Sequence, residues 1–260
     1  MLHRFLSCVS LITRVPVKLT RDPDYSLAYF FFPFTGLLIA IIAVLSGIFA
    51  NLIFGSMLAV AFVMLLAEYL IANLFHLDGL MDTADASGVF GDKAKRYEVL
   101  KDSRIGAYGF FAGTVCLAGK FMFIYLLLLK SPTDAYAGML LMLPASRFAG
   151  LLVSVFGKPL NSTGLASAIE KFPMLPLVLS FSACSVPAFA LLLRAGNVIA
   201  AFLVFLCSGI SAVAASGYIS SWFQKHIGGY NGDAMGAAIE LTELLSAGLF
   251  LACFNFLIPA

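Results

Sequence analysis

Charged residues are scarce in this sequence. Of its 260 residues, 12% are charged and 61% are hydrophobic, and the mean hydropathy is +0.98. A soluble domain has about 25% charged and about 45–50% apolar residues. With so little polar surface available to face water, a water-soluble globular fold is excluded, and lipid is the expected solvent.

Cysteine pairs are missing as well. The five cysteines, Cys8, Cys116, Cys184, Cys207 and Cys253, form no C-x-x-C pair, and four of them lie in apolar runs. We therefore expect buried thiols that pack like small apolar side chains, and neither a disulfide framework nor a thiolate metal site.

What the sequence does contain is a series of long apolar runs. Seven runs are predicted to span a membrane: Tyr29–Ala50, Met57–Phe75, Ala107–Leu129, Ala135–Phe156, Met174–Leu193, Val198–Ser216 and Leu241–Ile258. Their apolar character is continuous rather than alternating, which favours helices over a closed barrel. The predicted fold is all-α, with residues 1–260 forming a single integral membrane domain.

The basic residues are distributed unevenly between the two sides of this predicted bundle. Only Lys130 and Arg194 fall on one side, and Lys120 and Arg147 fall within spans. Because cytoplasmic loops are enriched in Lys and Arg, we expect a cytoplasmic N-terminus and a location in the inner (cytoplasmic) membrane. The polar motifs occupy loops 76–106, 157–173 and 217–240, which are predicted to form one site at the cytoplasmic face.

The most informative motif is acidic. Asp78, Asp82 and Asp85 are spaced at i, i+4 and i+7, so a helix would place all three carboxylates on one face. Such like charges repel unless a cation lies between them, and hard oxygen ligands suit Mg²⁺. His76, at the start of this motif, is a candidate base or an interfacial histidine. The alternative for the aspartates is a solvated acidic loop.

Two further motifs could complete such a site. Arg96, Lys101 and Arg104 would suit a phosphate or pyrophosphate, although they also fit simple charge enrichment at the cytoplasmic side. The glycine-rich segment around Gly232 and Asp233 could present backbone amides to an anion and add a metal ligand. The alternative interpretation of this segment is a turn in which Asp233 caps a helix.

Two ionisable residues lie inside predicted spans and need partners. Glu68 and Arg147 are predicted either to pair with each other or, in the case of Arg147, to reach a phosphate. Carboxylates that hold Mg²⁺, flanked by Arg and Lys, are the groups used in phosphoryl or nucleotidyl transfer. The alternatives are a membrane prenyltransferase, a phosphotransferase of the CDP-alcohol type and an ion-coupled transporter.

These motifs together resemble the cobalamin synthase family, also called adenosylcobinamide-GDP ribazoletransferase. The resemblance rests on four blocks: His76 to Asp85, Lys101 to Gly106, Thr13-Arg14-Val-Pro16-Val, and Gly232-Asp233 followed by Gly236 to Glu243. It implies a polytopic membrane enzyme that depends on Mg²⁺. Such an enzyme joins adenosylcobinamide-GDP to α-ribazole, or to its 5′-phosphate, and releases GMP.

The resemblance also implies roles for individual residues. Metal binding is expected at Asp78, Asp82 and Asp85, and catalysis is expected at these three and at His76, Asp102 and Arg104. Substrate binding is expected at Arg14, Arg96, Lys101, Ser103, Gly232 and Asp233. The expected partners are corrinoid and nucleoside substrates and membrane lipid, with no nucleic acid, and oligomerisation stays open.

Overall fold

The structure, a computed structural model, describes residues 1–161, 172–196 and 198–257, with side chains to residue 255. Over these ranges the chain is helical, with two isolated β-bridges. The helices are α1 (Leu2–Ile12), α2 (Ala28–Phe54), α3 (Met57–Ile71), α4 (Phe75–Gly88), α5 (Lys93–Leu100), α6 (Ala107–Lys130), α7 (Pro132–Phe156), α8 (Met174–Arg194), α9 (Val198–His226) and α10 (Gly232–Leu257). The all-α prediction is confirmed.

Six of these helices, α2 and α6 to α10, are long and apolar enough to cross a bilayer. Each follows one of the predicted apolar runs, which confirms the polytopic membrane bundle. The most buried of them is α7, which packs against α2, α8, α9 and α10 at the centre of the bundle. All five cysteines carry free thiols, and only Cys253 is not fully buried.

The second predicted span corresponds to α3, which ends at Ile71, four residues before the predicted Phe75. Its 15 residues extend about 22 Å at 1.5 Å per residue, less than the hydrocarbon thickness of about 30 Å. The helix ends early because the chain after α1 pairs with it. The Arg14 amide donates to the Ile71 carbonyl (2.7 Å), and the Asn73 amide donates to the Ile12 carbonyl (3.1 Å).

The last two spans differ from their predicted bounds. Helix α9 continues to His226 and α10 begins at Gly232, so most of the predicted loop 217–240 is helical. Helix α10 starts early because the Asn231 side chain accepts a hydrogen bond from the Ala234 amide at 3.1 Å, which caps it. Glu240 and Glu243, expected near the start of the last span, therefore lie two to three turns inside it, where both are buried.

Candidate active site

Helix α4 carries the acidic motif on one face. Asp78 is exposed, and Asp82 and Asp85 are partly buried. The opposite face is buried against α10, which α4 contacts extensively. The i, i+4, i+7 spacing therefore gives the side-chain arrangement that it predicted, with three carboxylates along the outer stripe of one short helix.

Two glycines allow α4 and α10 to cross closely. A Cβ added at Gly79 would lie 2.9 Å from the Cα of Asp233, and one added at Gly236 would lie 2.9 Å from the carbonyl oxygen of His76. Real Cβ atoms do not approach backbone this closely, so any larger residue would push the helices apart. The crossing brings Asp233, from the far end of the sequence, to the aspartates of α4.

The electrostatic environment of Asp82 reflects this convergence. Partial burial and the neighbouring charges of Asp78, Asp233 and Asp85 raise the pKa of Asp82 to about 7, while Lys101 opposes the shift. Crowded carboxylates of this kind favour the binding of a cation, which would relieve their repulsion.

Asp85 has a second task. Its two carboxylate oxygens accept hydrogen bonds from the backbone amides of Gly106 (2.8 Å) and Gly109 (2.9 Å) at the start of α6. Because Gly106 has no side chain with which to cap the helix, Asp85 supplies both the missing acceptor and a negative charge. The carboxylate thereby fixes α6 against the acidic helix.

The basic motif lies beside this contact, in the segment between α5 and α6. Arg104 donates to both oxygens of Asp102, with the shortest contact at 2.6 Å. These hydrogen bonds lower the pKa of Asp102 to about 2, which makes it a weak proton acceptor near neutral pH. Arg96 instead donates to the carbonyls of Ala86 (2.9 Å) and Ser87 (3.3 Å) at the end of α4.

A cleft of about 480 Å³ opens between the acidic and basic motifs. Asp85, Asp102, Arg104 and Gly106 line it, together with Tyr108. Lys101 and Ser103 are exposed nearby, and the Lys101 ammonium lies 5.5 Å from the centre of the Tyr97 ring. The cleft combines anionic and cationic walls, as a metal-bound diphosphate would require.

The glycine-rich turn before α10 is already occupied with internal hydrogen bonds. The amide of Gly228 donates to Phe223, and the amide of Tyr230 donates to Lys158. Asn231, not Asp233, caps the helix, and its side-chain amide donates to Asp233 at 2.6 Å. The turn therefore does not offer these amides to an anion, and Asp233 is left beside the α4 aspartates.

The loop 157–173 is described only in part, because residues 162–171 lie outside the described ranges. Its first residues are hydrogen-bonded to the turn before α10. The Lys158 carbonyl accepts from the Tyr230 amide, and the Leu160 amide donates to the Tyr230 carbonyl at 2.8 Å. Arg14, predicted to bind substrate, is exposed and is held through its backbone amide at the end of α3.

His76 lies at the base of the acidic helix. It is 4% exposed, and burial, followed by the charge of Arg147, lowers its pKa to about 3. Its ring meets Phe75 edge-on at 4.2 Å between centroids. No hydrogen bond to its ring occurs within the described ranges, and it faces a cavity that also contacts Gly232, the first residue of α10.

A buried ionic network inside the bundle was not predicted from the sequence. Lys120 donates to Glu68 at 2.7 Å and also contacts Glu240 and Glu243, while Arg147 pairs with Glu243. The expected pairing of Glu68 with Arg147 is wrong, and Arg147 is too buried to reach a phosphate at the surface. The available signals were the three ionisable residues within predicted spans, Glu68, Lys120 and Arg147, but no partner was predicted for Lys120.

The fit of a metal ion can be judged from the donor set. Across the residues that the structure describes, no three His, Cys, Asp or Glu side chains converge closely enough to hold an ion by themselves. Mg²⁺ is usually bound by one or two carboxylates together with waters and substrate phosphates. Asp78 and Asp82 share a helix face with Asp85, which lines the cleft, and they fit that mode.

Comparison with known proteins finds relatives along nearly the whole chain. The profile of the cobalamin-5-phosphate synthase family matches residues 4–251. An adenosylcobinamide-GDP ribazoletransferase of Shewanella amazonensis is 32% identical over 253 residues, covering 94% of this chain and 93% of that protein. The enzyme of the same name from Vibrio cholerae is 31% identical, with 96% and 94% covered. No solved structure matches the chain.

Proposed function

The chain belongs to the cobalamin-5-phosphate synthase family, and from that premise we propose that it is a membrane-embedded adenosylcobinamide-GDP ribazoletransferase. The single observation that carries the proposal beyond the family is that Asp78 and Asp233 lie close enough to Asp82 to raise its pKa, with Lys101 close enough to oppose the shift. Carboxylates near a cation, on a helix whose Asp85 lines the cleft, suit transfer from a diphosphate donor.

The proposed reaction is a displacement at phosphorus. A ribose hydroxyl of α-ribazole forms a bond to the phosphorus nearer the cobinamide. It is not the 5′-hydroxyl, because that oxygen already carries the phosphate when α-ribazole 5′-phosphate is the acceptor. The bond from that phosphorus to the bridging oxygen breaks, and GMP leaves with the bridging oxygen. With either acceptor, the proton of the attacking hydroxyl passes to a carboxylate. Asp233 is our assignment for that carboxylate, because Asp102 is held ionised by Arg104.

The other residues position the donor and balance its charge. Mg²⁺, when bound, would neutralise the diphosphate oxygens, and Asp78 and Asp82 are the residues that would hold it. Lys101 and Arg104 would bind the phosphate of the leaving GMP. Arg96 keeps the end of α4 in place through its carbonyl contacts, and Asp85 does the same for the start of α6.

An assay with purified components tests the proposal. Protein in liposomes is given adenosylcobinamide-GDP, α-ribazole and Mg²⁺, and GMP and the corrinoid product are followed by chromatography. We expect product that is lost with EDTA. Asp82→Asn should lower the rate by about 100-fold or more, the scale of losing a group that stabilises transition-state charge.

The control is Asp22→Asn, which removes an exposed carboxylate outside the acidic motif and should leave the rate unchanged. Both variants should insert into the membrane and elute as the wild type does in size-exclusion chromatography. No GMP release from folded wild-type protein would reject the function. Wild-type turnover by Asp82→Asn would reject the assigned site.

A further inference from the structure

A second cavity lies behind the acidic site, on the other side of the crossing between α4 and α10. Its volume is about 360 Å³, within the range of about 300–1,000 Å³ that small-molecule sites occupy. Residues from five helices and from the segment between α3 and α4 surround it, among them Ile12, Phe32, Asn73, Phe75, His76 and Met235. The mechanism proposed above does not use this cavity.

Its wall is apolar except for one polar patch. Asn73 and His76 supply the polar side chains, three residues apart at the start of α4. His76 is 96% buried and lines the cavity, and no hydrogen bond to its ring occurs within the described residues. Its ring nitrogens are not among the buried atoms that lack a partner, so they are open to the cavity and can hydrogen-bond to a molecule bound there. An acyl chain could not supply this hydrogen bond.

We propose that this cavity binds the aromatic base of the nucleoside acceptor, with His76 as the positioning residue that hydrogen-bonds to the base. The inference rests on the proposed function and specifies where one of its two substrates lies. It also replaces the role of general base for His76 with one of orientation.

The shape of the wall suits a flat ring. Phe32 and Phe75 provide aromatic surface, and Gly150 and Gly236 contribute to the wall where α7 and α10 line the cavity. Aromatic side chains pack favourably against other rings, face-to-face with an offset or edge-on. A planar, mostly apolar base with ring nitrogens matches this combination of aromatic faces and a single hydrogen-bonding patch.

The location also suits the reaction. His76 is two residues before Asp78, and Met235 is two residues after Asp233. A nucleoside with its base in the cavity therefore has its sugar close to the crossing, where the carboxylates are. Holding the acceptor by its base in this way would orient the attacking ribose hydroxyl.

The test compares two acceptors, α-ribazole and the analogue whose benzimidazole lacks both methyl groups. His76→Phe keeps a ring of similar shape and removes the hydrogen bond, so the KM for either acceptor should rise about 10-fold or more. The KM for adenosylcobinamide-GDP should not change. His76→Asn, which can still hydrogen-bond, should recover part of the loss.

A second variant tests the cavity without touching His76. Met235→Phe reduces the space, so the ratio of kcat/KM for α-ribazole over the smaller analogue should fall several-fold. The matched control is Leu66→Phe in the exposed apolar groove between α3 and α6, which should leave this ratio unchanged. Isothermal titration with each acceptor alone gives the same comparison without turnover.

Acceptor-specific losses in His76→Phe, together with a changed base preference in Met235→Phe, support the inference. If wild-type protein releases GMP but neither variant alters acceptor KM, acceptor affinity or base preference, the base binds elsewhere and the inference is overturned while the function stands. If wild-type protein transfers nothing to α-ribazole, the proposed function fails and the inference fails with it.

Discussion

Single side chains in this site combine structural and chemical tasks, and Asp85 is the clearest case. It belongs to the acidic stripe, yet both its oxygens accept hydrogen bonds from amides at the start of α6. Asp92 has the same capping task at α5, where it accepts from the Lys95 amide at 3.0 Å, but it is exposed and outside the acidic cluster. Comparing variants of the two aspartates therefore distinguishes the effect of losing a helix cap from the effect of losing a carboxylate of the site.

We expect Asp85→Ala and Asp92→Ala each to lower the free energy of unfolding by about 0.5–2 kcal/mol, the usual cost of a lost helix cap. Only Asp85→Ala should also reduce transferase activity, because α6 carries the edge of the diphosphate cleft. Thermal unfolding in detergent and the GMP-release assay would measure both effects. Equal activity in the two variants would show that Asp85 is only a cap.

The acidic face could be predicted from the sequence because helical spacing places Asp78, Asp82 and Asp85 together in any α-helix. The addition of Asp233 could be proposed only as an option, since no local pattern says which distant helix α4 will touch. The partners of Arg104 and Arg96 were also hidden. Whether a guanidinium faces a phosphate, a carboxylate or a carbonyl depends on the fold around it.

At the scale of helices, the crossing of α4 and α10 depends on Gly79 and Gly236. We expect Gly236→Ala to lower transfer by about 100-fold, the effect of a displacement of about 1 Å on reacting groups. The reason is that the added methyl group would lie 2.9 Å from the His76 carbonyl oxygen. Rates and unfolding temperatures in detergent would show this effect.

The matched control is Gly217→Ala in α9, where an added Cβ would meet nothing within 4 Å. Alanine is a better helix former than glycine, so this variant should keep its activity and unfold at the same or a slightly higher temperature. An active Gly236→Ala enzyme would mean that the two helices need not touch here.

The ionic network that joins α3, α6, α7 and α10 has more acids than bases. Glu68, Glu240 and Glu243 face Lys120 and Arg147, and one oxygen of Glu68 has no hydrogen-bond partner among the described residues. Fully ionised, the cluster would carry one uncompensated negative charge in a region shielded from water. Removing that charge should be tolerated, whereas removing a cation should not.

We therefore expect Glu68→Gln to unfold at the same temperature as the wild type or higher. Lys120→Met should lose about 3–5 kcal/mol, because it leaves buried carboxylates without their cation. Thermal unfolding of both variants in one detergent tests this. A Glu68→Gln protein that loses as much stability as Lys120→Met would contradict the charge count.

Hydropathy predicted where the helices cross the membrane, because lipid requires long apolar stretches whatever their neighbours. The ends of α3, α9 and α10 could not be predicted in the same way. They are set by contacts between distant segments, such as that of Arg14 with Ile71, and by the cap from Asn231. Charged residues in the first turns of α10 also made that part of the sequence resemble a loop.

At the scale of the whole molecule, the uneven distribution of basic residues predicts which face of the membrane holds the site. We expect a cysteine in place of Lys225, near the site, to be cytoplasmic and one in place of Lys130 to lie on the other side. Both positions are exposed, and native thiols are mostly buried. Wild-type protein thus provides the background for labelling.

In intact cells, a membrane-impermeant maleimide should label Lys130→Cys and should label Lys225→Cys only after permeabilisation. The opposite result would place the site outside the cytoplasm, away from nucleotide-activated substrates. Labelling of both variants in intact cells would argue against the bundle as a spanning structure.

The contact of Gly79 with Asp233 also has a consequence for the order in which the protein is made. A ribosome elongates at about 5–20 residues per second, so the acidic helix emerges several seconds before its partner from the last span. Until then the carboxylates of α4 lack Asp233, and the face of α4 that packs against α10 stays uncovered. A stalled or truncated chain would therefore occupy the membrane without acting on substrate, and activity would begin only when translation of the final helix is complete.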